Sequence, residues 1–315
     1  MKKFLLIISV LLLLILSGIY IFIPSKINFG KVTYINGNRN IANRYIDDEK
    51  NWGKWWPPDS PNILSSAENS VIPHNYKGYT YTITHKALEG TTILIEHDGN
   101  GVNSFLHLIA LKPDSVLVEW KGELQSTNNP VKRIKNYLLA IEVKKNITEI
   151  LQSAKSFLEN SEKVYGINIT QQRVKDTLLI STRLTTNNYP TTTEIYNLIK
   201  SLREYIFSNG ATETNSPMLN ITKDSTFNTM VAIPINRVIA PTTTFLLKKM
   251  VPGKILVTDV KGGIFSADEA MRQLTIYMDD NHLLSPAIPF QSLVTDRLKE
   301  QDTTKWITKI YFPVY

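Results

Sequence analysis

The chain has 315 residues, 43% hydrophobic and 20% charged, a globular composition with room for two ordinary domains rather than a disordered chain. It contains no cysteine, which excludes a disulfide framework, a thiolate zinc site and a cysteine-linked lipid anchor. The net charge of +7 suits an anionic surface or ligand, but the lysines and arginines are dispersed and form no nucleic-acid footprint.

Lys2 and Lys3 precede an uncharged run from Phe4 to Ile23, FLLIISVLLLLILSGIYIFI. As a helix its 20 residues would span about 30 Å, the hydrocarbon thickness of a bilayer. A cleaved signal peptide has a shorter apolar region and a small-residue cleavage site, and SGIYIFIPSK offers none. Residues 1–25 are therefore expected to be a transmembrane helix, a single-pass anchor in a bacterial inner membrane. The two leading lysines favour an extracytoplasmic bulk, whereas Lys26, Lys31, Arg39 and Arg44 weigh the other way.

Residues 26–165 read as a first domain. KINFGKVTYING is an opening strand, and Ile41, Ala42, Tyr45, Ile46, Trp52, Trp55 and Trp56 then recur at helical spacing. Pro57 and Pro58 end that helix. Four alternating runs follow, GYTYTITH, TTILIEH, VNSFLHLIA and SVLVEWKGEL, separated by turn signals such as DGNG and KPDS. Clean alternation predicts an antiparallel sheet with one covered face. The cover is a long helix over Val131–Leu158, with Ile134, Leu138, Ile141, Ile147, Ile150, Leu151, Ala154 and Phe157 as its apolar stripe. The segment RYIDDEKNWGKWWP, with a strand before it and a long helix closing the domain, resembles the START-like polyketide cyclase superfamily (SRPBCC). That resemblance implies a helix-grip fold, an antiparallel sheet around a long C-terminal helix, with a cavity between them.

Residues 166–315 read as a second domain that repeats itself. VAIPI at 231–235 is echoed by IYFPV at 310–314, 79 positions on, and LLIS at 178–181 by ILVT at 255–258, 77 positions on. Two amphipathic helices carry candidate capping boxes, Thr191 with Glu194 and Ser266 with Glu269, offset by 75 positions. Gly210 is a stop signal for the first. The consistent offsets predict a duplicated β-α-β-β unit with a groove along its seam. The ending SLVTDRLKEQDTTKWITKIYFPVY resembles the gyrase-inhibitor-like effector-binding domain, also found behind the DNA-binding region of AraC-type regulators. By that resemblance a groove glutamate would fall on Gln291, where this chain carries no charge. The whole is an α+β chain.

The candidate residues follow from this frame. In the first domain Trp52, Trp55, Trp56, Tyr79, Tyr81, His107 and Trp120 are expected to line a ligand cavity, with core packing as the alternative for the aromatic residues. His85, His97 and His107 lie on three successive strands and would form a metal set only if their faces coincide; no metal or cofactor is expected. In the second domain Tyr277, Gln291, Trp306 and Tyr311 are the groove candidates, Trp306 and Tyr311 with opposite parity on the last strand. No nucleophile elbow, phosphate-cradling glycine loop, HExxH or EF-hand loop occurs, and catalytic residues stay unassigned. The functional expectation is a membrane-anchored protein binding small lipophilic or amphipathic molecules, without nucleic acid and with no protein partner identified. Hydrolase or cyclase chemistry on a polyketide-like or strained molecule is one alternative, and an envelope scaffold is another.

Overall fold

The chain divides into two units, Met1–Asn160 and Ser161–Tyr315, in a computed structural model that describes residues 2–58, 72–175 and 177–315, with the side chains of Lys2 and Leu5 set aside.

In the first unit six strands form one antiparallel sheet, β1 (Lys26–Asn36), β2 (His74–Tyr76), β3 (Tyr79–Ala87), β4 (Gly90–His97), β5 (Asn100–Lys112) and β6 (Ser115–Gln125), in the order β1-β6-β5-β4-β3-β2. Lys77-Gly78 and Asp98-Gly99 make the tight reversals, each with both residues at positive φ, the geometry that matches the twist of paired strands. The alternating residues Tyr79, Tyr81, Ile83, Ile93, Ile95, Val116, Val118 and Trp120 are buried on one face. Gly30 in β1 has φ +151, and a Cβ there would sit 2.3 Å from the Trp120 carbonyl oxygen, so only glycine lets β1 close onto β6.

Helix α3 (Pro130–Leu158) packs on β1 and β6, capped by the Asn129 side chain, which accepts from the amides of Val131 and Lys132. Its second half buries Ile147, Ile150, Leu151, Ala154 and Phe157, as the spacing predicts. Its first half does not: Ile134, Leu138 and Ile141 are exposed. The buried side there runs through Arg133 and Ala140, because the Arg133 guanidinium turns inward to donate to the Ile23 carbonyl.

The helix expected from Ile41 to Trp56 is broken into pieces. A short α2 (Arg39–Ala42) runs into a π turn, Asn43–Asp47, and then a 3-10 turn, Glu49–Lys54. The break falls at Asp48, whose extended backbone lets its carboxylate accept from the Lys50 amide and start the second piece as a cap.

The membrane expectation is corrected. The apolar run folds as α1 (Lys2–Phe22) with mostly exposed side chains, but among the described residues no helix is long and apolar enough to cross a membrane. A single-pass inner-membrane placement is therefore not supported. The last turn of α1 is engaged with its own unit: Tyr20 donates to the Asn128 carbonyl, and Arg133 lies 4.9 Å from the Tyr20 ring centroid.

The second unit has α4 (Ser161–Tyr165), β7 (Thr170–Arg173), β8 (Leu178–Thr186), α5 (Thr192–Ser208), β9 (Met218–Lys223), β10 (Phe227–Pro234), β11 (Leu246–Lys249), β12 (Lys254–Lys261), α6 (Ile264–Asp280), β13 (Phe290–Leu293) and β14 (Ile307–Val314). The sheet order, β11-β8-β10-β9-β13-β14-β12-β7, is the same β-α-β-β arrangement twice, joined where β9 pairs antiparallel with β13. Both helices cover one face. Under α5 lie Ile180, Val231, Ile233 and Leu219; under α6 lie Leu256, Val260, Ile310 and Phe312.

The first capping box forms in full between Thr191 and Glu194. Thr191→Ala is expected to cost about 1 kcal/mol, read as a lower urea midpoint in far-UV circular dichroism. The second box does not form. Helix α6 starts earlier, capped by Gly263 without a side-chain bond, and Glu269 instead holds Arg272 and Gln273. Gly210 ends α5 at φ +61, as a left-handed stop requires.

Candidate functional site

The first unit brings most of its candidates together, as a filled core. Trp52 and Trp56 stack 5.1 Å apart and nearly parallel, Tyr81 meets Trp56 edge-on at 5.3 Å, and Trp120 meets Tyr81 at 5.9 Å. Trp55 lies 5.6 Å from each of the other two clustered tryptophans. Every indole N–H in this column is spent internally: Trp52 on the Ile46 carbonyl, Trp55 on that of Tyr45, Trp56 on that of Asn75, and Trp120 on the Ser104 hydroxyl. Trp52 and Trp120 are 0% exposed. Tyr79 is buried with its hydroxyl donating to Glu142, and burial foremost, then that carboxylate, raises its pKa.

One residue of this core escaped sequence reading. His74 in β2 sits 5.1 Å from the Trp52 ring and 5.2 Å from Trp56, with its Nε2 unpaired. Burial lowers its pKa from 6.5 to about 4, against the opposing effect of a bond to the Glu49 backbone. The other histidines do not converge. A bulge between Ile83 and His85 turns His85 to the outside, His97 stacks on Tyr79 at the end of β4, and His107 lies beside Phe105 on the face opposite Leu106 and Leu108. A ligand-facing role for His107 inside this unit is therefore not what its strand position provides.

The second unit holds an open cavity of about 660 Å³ on the sheet face away from the helices. Register explains its lining. Val231, Ile233 and Leu219 point toward α5, so their neighbours Met230, Ala232 and Met218 face the other way. Leu179 from β8 joins them, and Phe290 and Pro313 enter from the second repeat, so the cavity crosses the β9–β13 seam. The segment Met250–Gly253 and the loop at Pro286–Ile288 form its rims. Asn220 ties that loop down through the Pro289 carbonyl at 2.9 Å. A smaller cavity of about 150 Å³ shares Met218, Met250 and Phe290 and adds Ser292, Gln172 and Tyr311.

The polar groups of the large cavity are mostly basic. Lys248, Lys249 and Lys254 line it, and among the described residues no aspartate or glutamate side chain does. Lys248 is partly buried, its Nζ 3.1 Å from the Met230 sulfur, and burial, then the neighbouring charge of Arg183, lowers its pKa.

The groove candidates fare unevenly. Tyr311 is on the cavity face, stacked on Phe290 at 4.9 Å. Gln291 is not: it pairs with Leu219 and Ile310, both packed under helices, so its register faces it away from the cavity that Phe290 enters. Tyr277 is on α6, edge-on to Tyr165 at 5.2 Å. Trp306 precedes β14 rather than lying in it; its indole donates to the Glu300 carbonyl and its ring carries the Arg297 guanidinium at 4.7 Å.

No family model matches the chain, and no curated protein does. Among solved structures it is similar to the C-terminal domain of EcmrR, 18% identical with a TM-score of 0.41 over 47% of this chain and 98% of that one. It is also similar to SAV2435 bound to tetraphenylphosphonium, 13% identical with a TM-score of 0.32 over 47% of this chain and 94% of that one. The di-domain ARO/CYC StfQ from the steffimycin biosynthetic pathway is 7% identical, with a TM-score of 0.26 over 91% of this chain and 84% of that one. Likenesses this remote assign neither ligand nor activity to the chain.

Proposed function

We propose that the protein binds a small apolar or amphipathic molecule in the cavity of its second unit. The observation that carries this reading is the 660 Å³ cavity across the repeat seam, floored by Leu179, Met218, Met230 and Ala232 and walled by Phe290. Ligand sites are concave, largely apolar and furnished with few polar groups, and this volume suits a drug-sized molecule. Methionines add polarisable side chains that adapt to varied shapes. Among the described residues the lining contains no serine, threonine, histidine, aspartate or glutamate, which supports binding over hydrolase or cyclase chemistry there. Effector binding at a repeat seam also accords with the gyrase-inhibitor-like pattern of the C-terminal segment. The filled aromatic core favours a structural part for the first unit.

An uncharged apolar dye, N-phenyl-1-naphthylamine, is expected to bind saturably, with fluorescence enhancement as the signal. Met230→Trp fills the cavity and is expected to weaken that binding at least tenfold, about 1.4 kcal/mol, while leaving the unfolding midpoint close to that of the parent. Equal dye binding by parent and variant would remove the cavity from the account.

A further inference from the structure

We propose that this cavity selects anions, so that its ligand is an apolar molecule carrying a carboxylate, sulfonate or similar negative group. The inference rests on the binding reading above and adds the sign of the charge.

Three lysines share the lining, and among the described residues none of them is ion-paired. Lys248 is the decisive one. Its β-sheet register places it opposite Leu179, on the cavity face, and its ammonium rests against the Met230 sulfur instead of a carboxylate. A thioether is a weak acceptor and cannot compensate an ammonium for lost water. Arg183 stands opposite Met230 on the same face and adds a second positive charge to the same wall. Among the described residues, Asp259 of β12 lies on the same sheet face by register and is already held by Lys309 at 3.1 Å. An anionic group docking beside Lys248 would supply a partner to a partly buried ammonium through a charge-assisted hydrogen bond. A cation of the same shape would face the like charges of Lys248 and Arg183 on that wall.

The test uses two probes of nearly identical shape and opposite charge, tetraphenylborate and tetraphenylphosphonium, titrated calorimetrically into the full chain. Tetraphenylborate is expected to bind at least tenfold tighter. Lys248→Met is expected to reduce that preference severalfold. Lys200→Met removes the same charge from an exposed position on α5 and is expected to leave the preference unchanged, which separates a local effect from the net charge of the chain.

Equal affinities, a tighter phosphonium, or a preference that Lys248→Met and Lys200→Met reduce equally would overturn the proposal. If neither ion binds while the uncharged dye still does, anion selection fails and the cavity stands. If neither the ions nor the dye bind, the binding reading itself falls.

Discussion

Trp52→Ala is expected to destabilise the first unit by about 3–5 kcal/mol, the range for removing a large, fully buried aromatic side chain. The substitution deletes a ring that stacks on Trp56 and lies tilted against Trp55 and His74, and opens a void between them. It also leaves the Ile46 carbonyl without its donor. Trp52, Trp55, Trp56 and Trp120 belong to this unit and only Trp306 to the other, so tryptophan fluorescence in a urea titration follows the relevant transition. A side chain roofing a solvent-filled pocket would be lost at far lower cost, under about 1 kcal/mol. A shift that small would return the tryptophans to the role of a pocket mouth.

The second large effect belongs to His74, and its sign can be worked out. Burial holds the folded-state pKa near 4, against an ordinary value of 6.5. Between those values the unfolded chain takes up a proton that the folded chain refuses, so stability rises with pH across the window and falls on acidification. Below about 4 both states are protonated; above 6.5 neither is. The loss from pH 6.5 to 4 is expected to be on the order of 2 kcal/mol, once partial solvent access to the ring is allowed for. His74→Phe keeps an aromatic ring between Trp52 and Trp56 and removes the titration. Stability measured in urea at several pH values is therefore expected to fall less steeply for the variant. The difference between the two profiles isolates His74 from carboxylates such as Glu149, whose pKa is lowered chiefly by Lys77 and which loses its own small contribution as pH falls. Parallel profiles would show that the imidazole is solvated.

The sheet of the first unit was legible because period-two alternation reports directly which face is covered. The duplication was legible from constant offsets, and the order of strands on either side of the β9–β13 seam repeats in the same way. What escaped were local choices made by backbone and side-chain competition. Asp48 capping the Lys50 amide cut one expected helix into pieces. A bulge of one residue after Ile83 moved His85 to the other face. Glu269 preferred the Arg272 guanidinium to a capping box.

The site itself could have been found from parity. Once Val231 and Ile233 are assigned to the helix-covered core, Met230 and Ala232 must face the other side, and nothing in the sequence supplies a second layer there. The same argument applied to Leu293 places Gln291 on the covered face and Phe290 on the open one. The resemblance of the C-terminal segment drew attention to Gln291 one position away from the residue that enters the cavity. No such pattern exposed His74, a single histidine in a three-residue strand.

The central claim, that a small apolar molecule occupies the cavity of the second unit, is tested most directly by methyl NMR. Methionine methyls labelled with ¹³C give reporters on the cavity at Met218, Met230 and Met250, and on α6, under the opposite face, at Met271 and Met278. Titration with N-phenyl-1-naphthylamine is expected to shift the first three signals to saturation with a common affinity and to leave the other two in place. Saturable binding that moves Met271 and Met278 while Met218, Met230 and Met250 stay still would contradict the account.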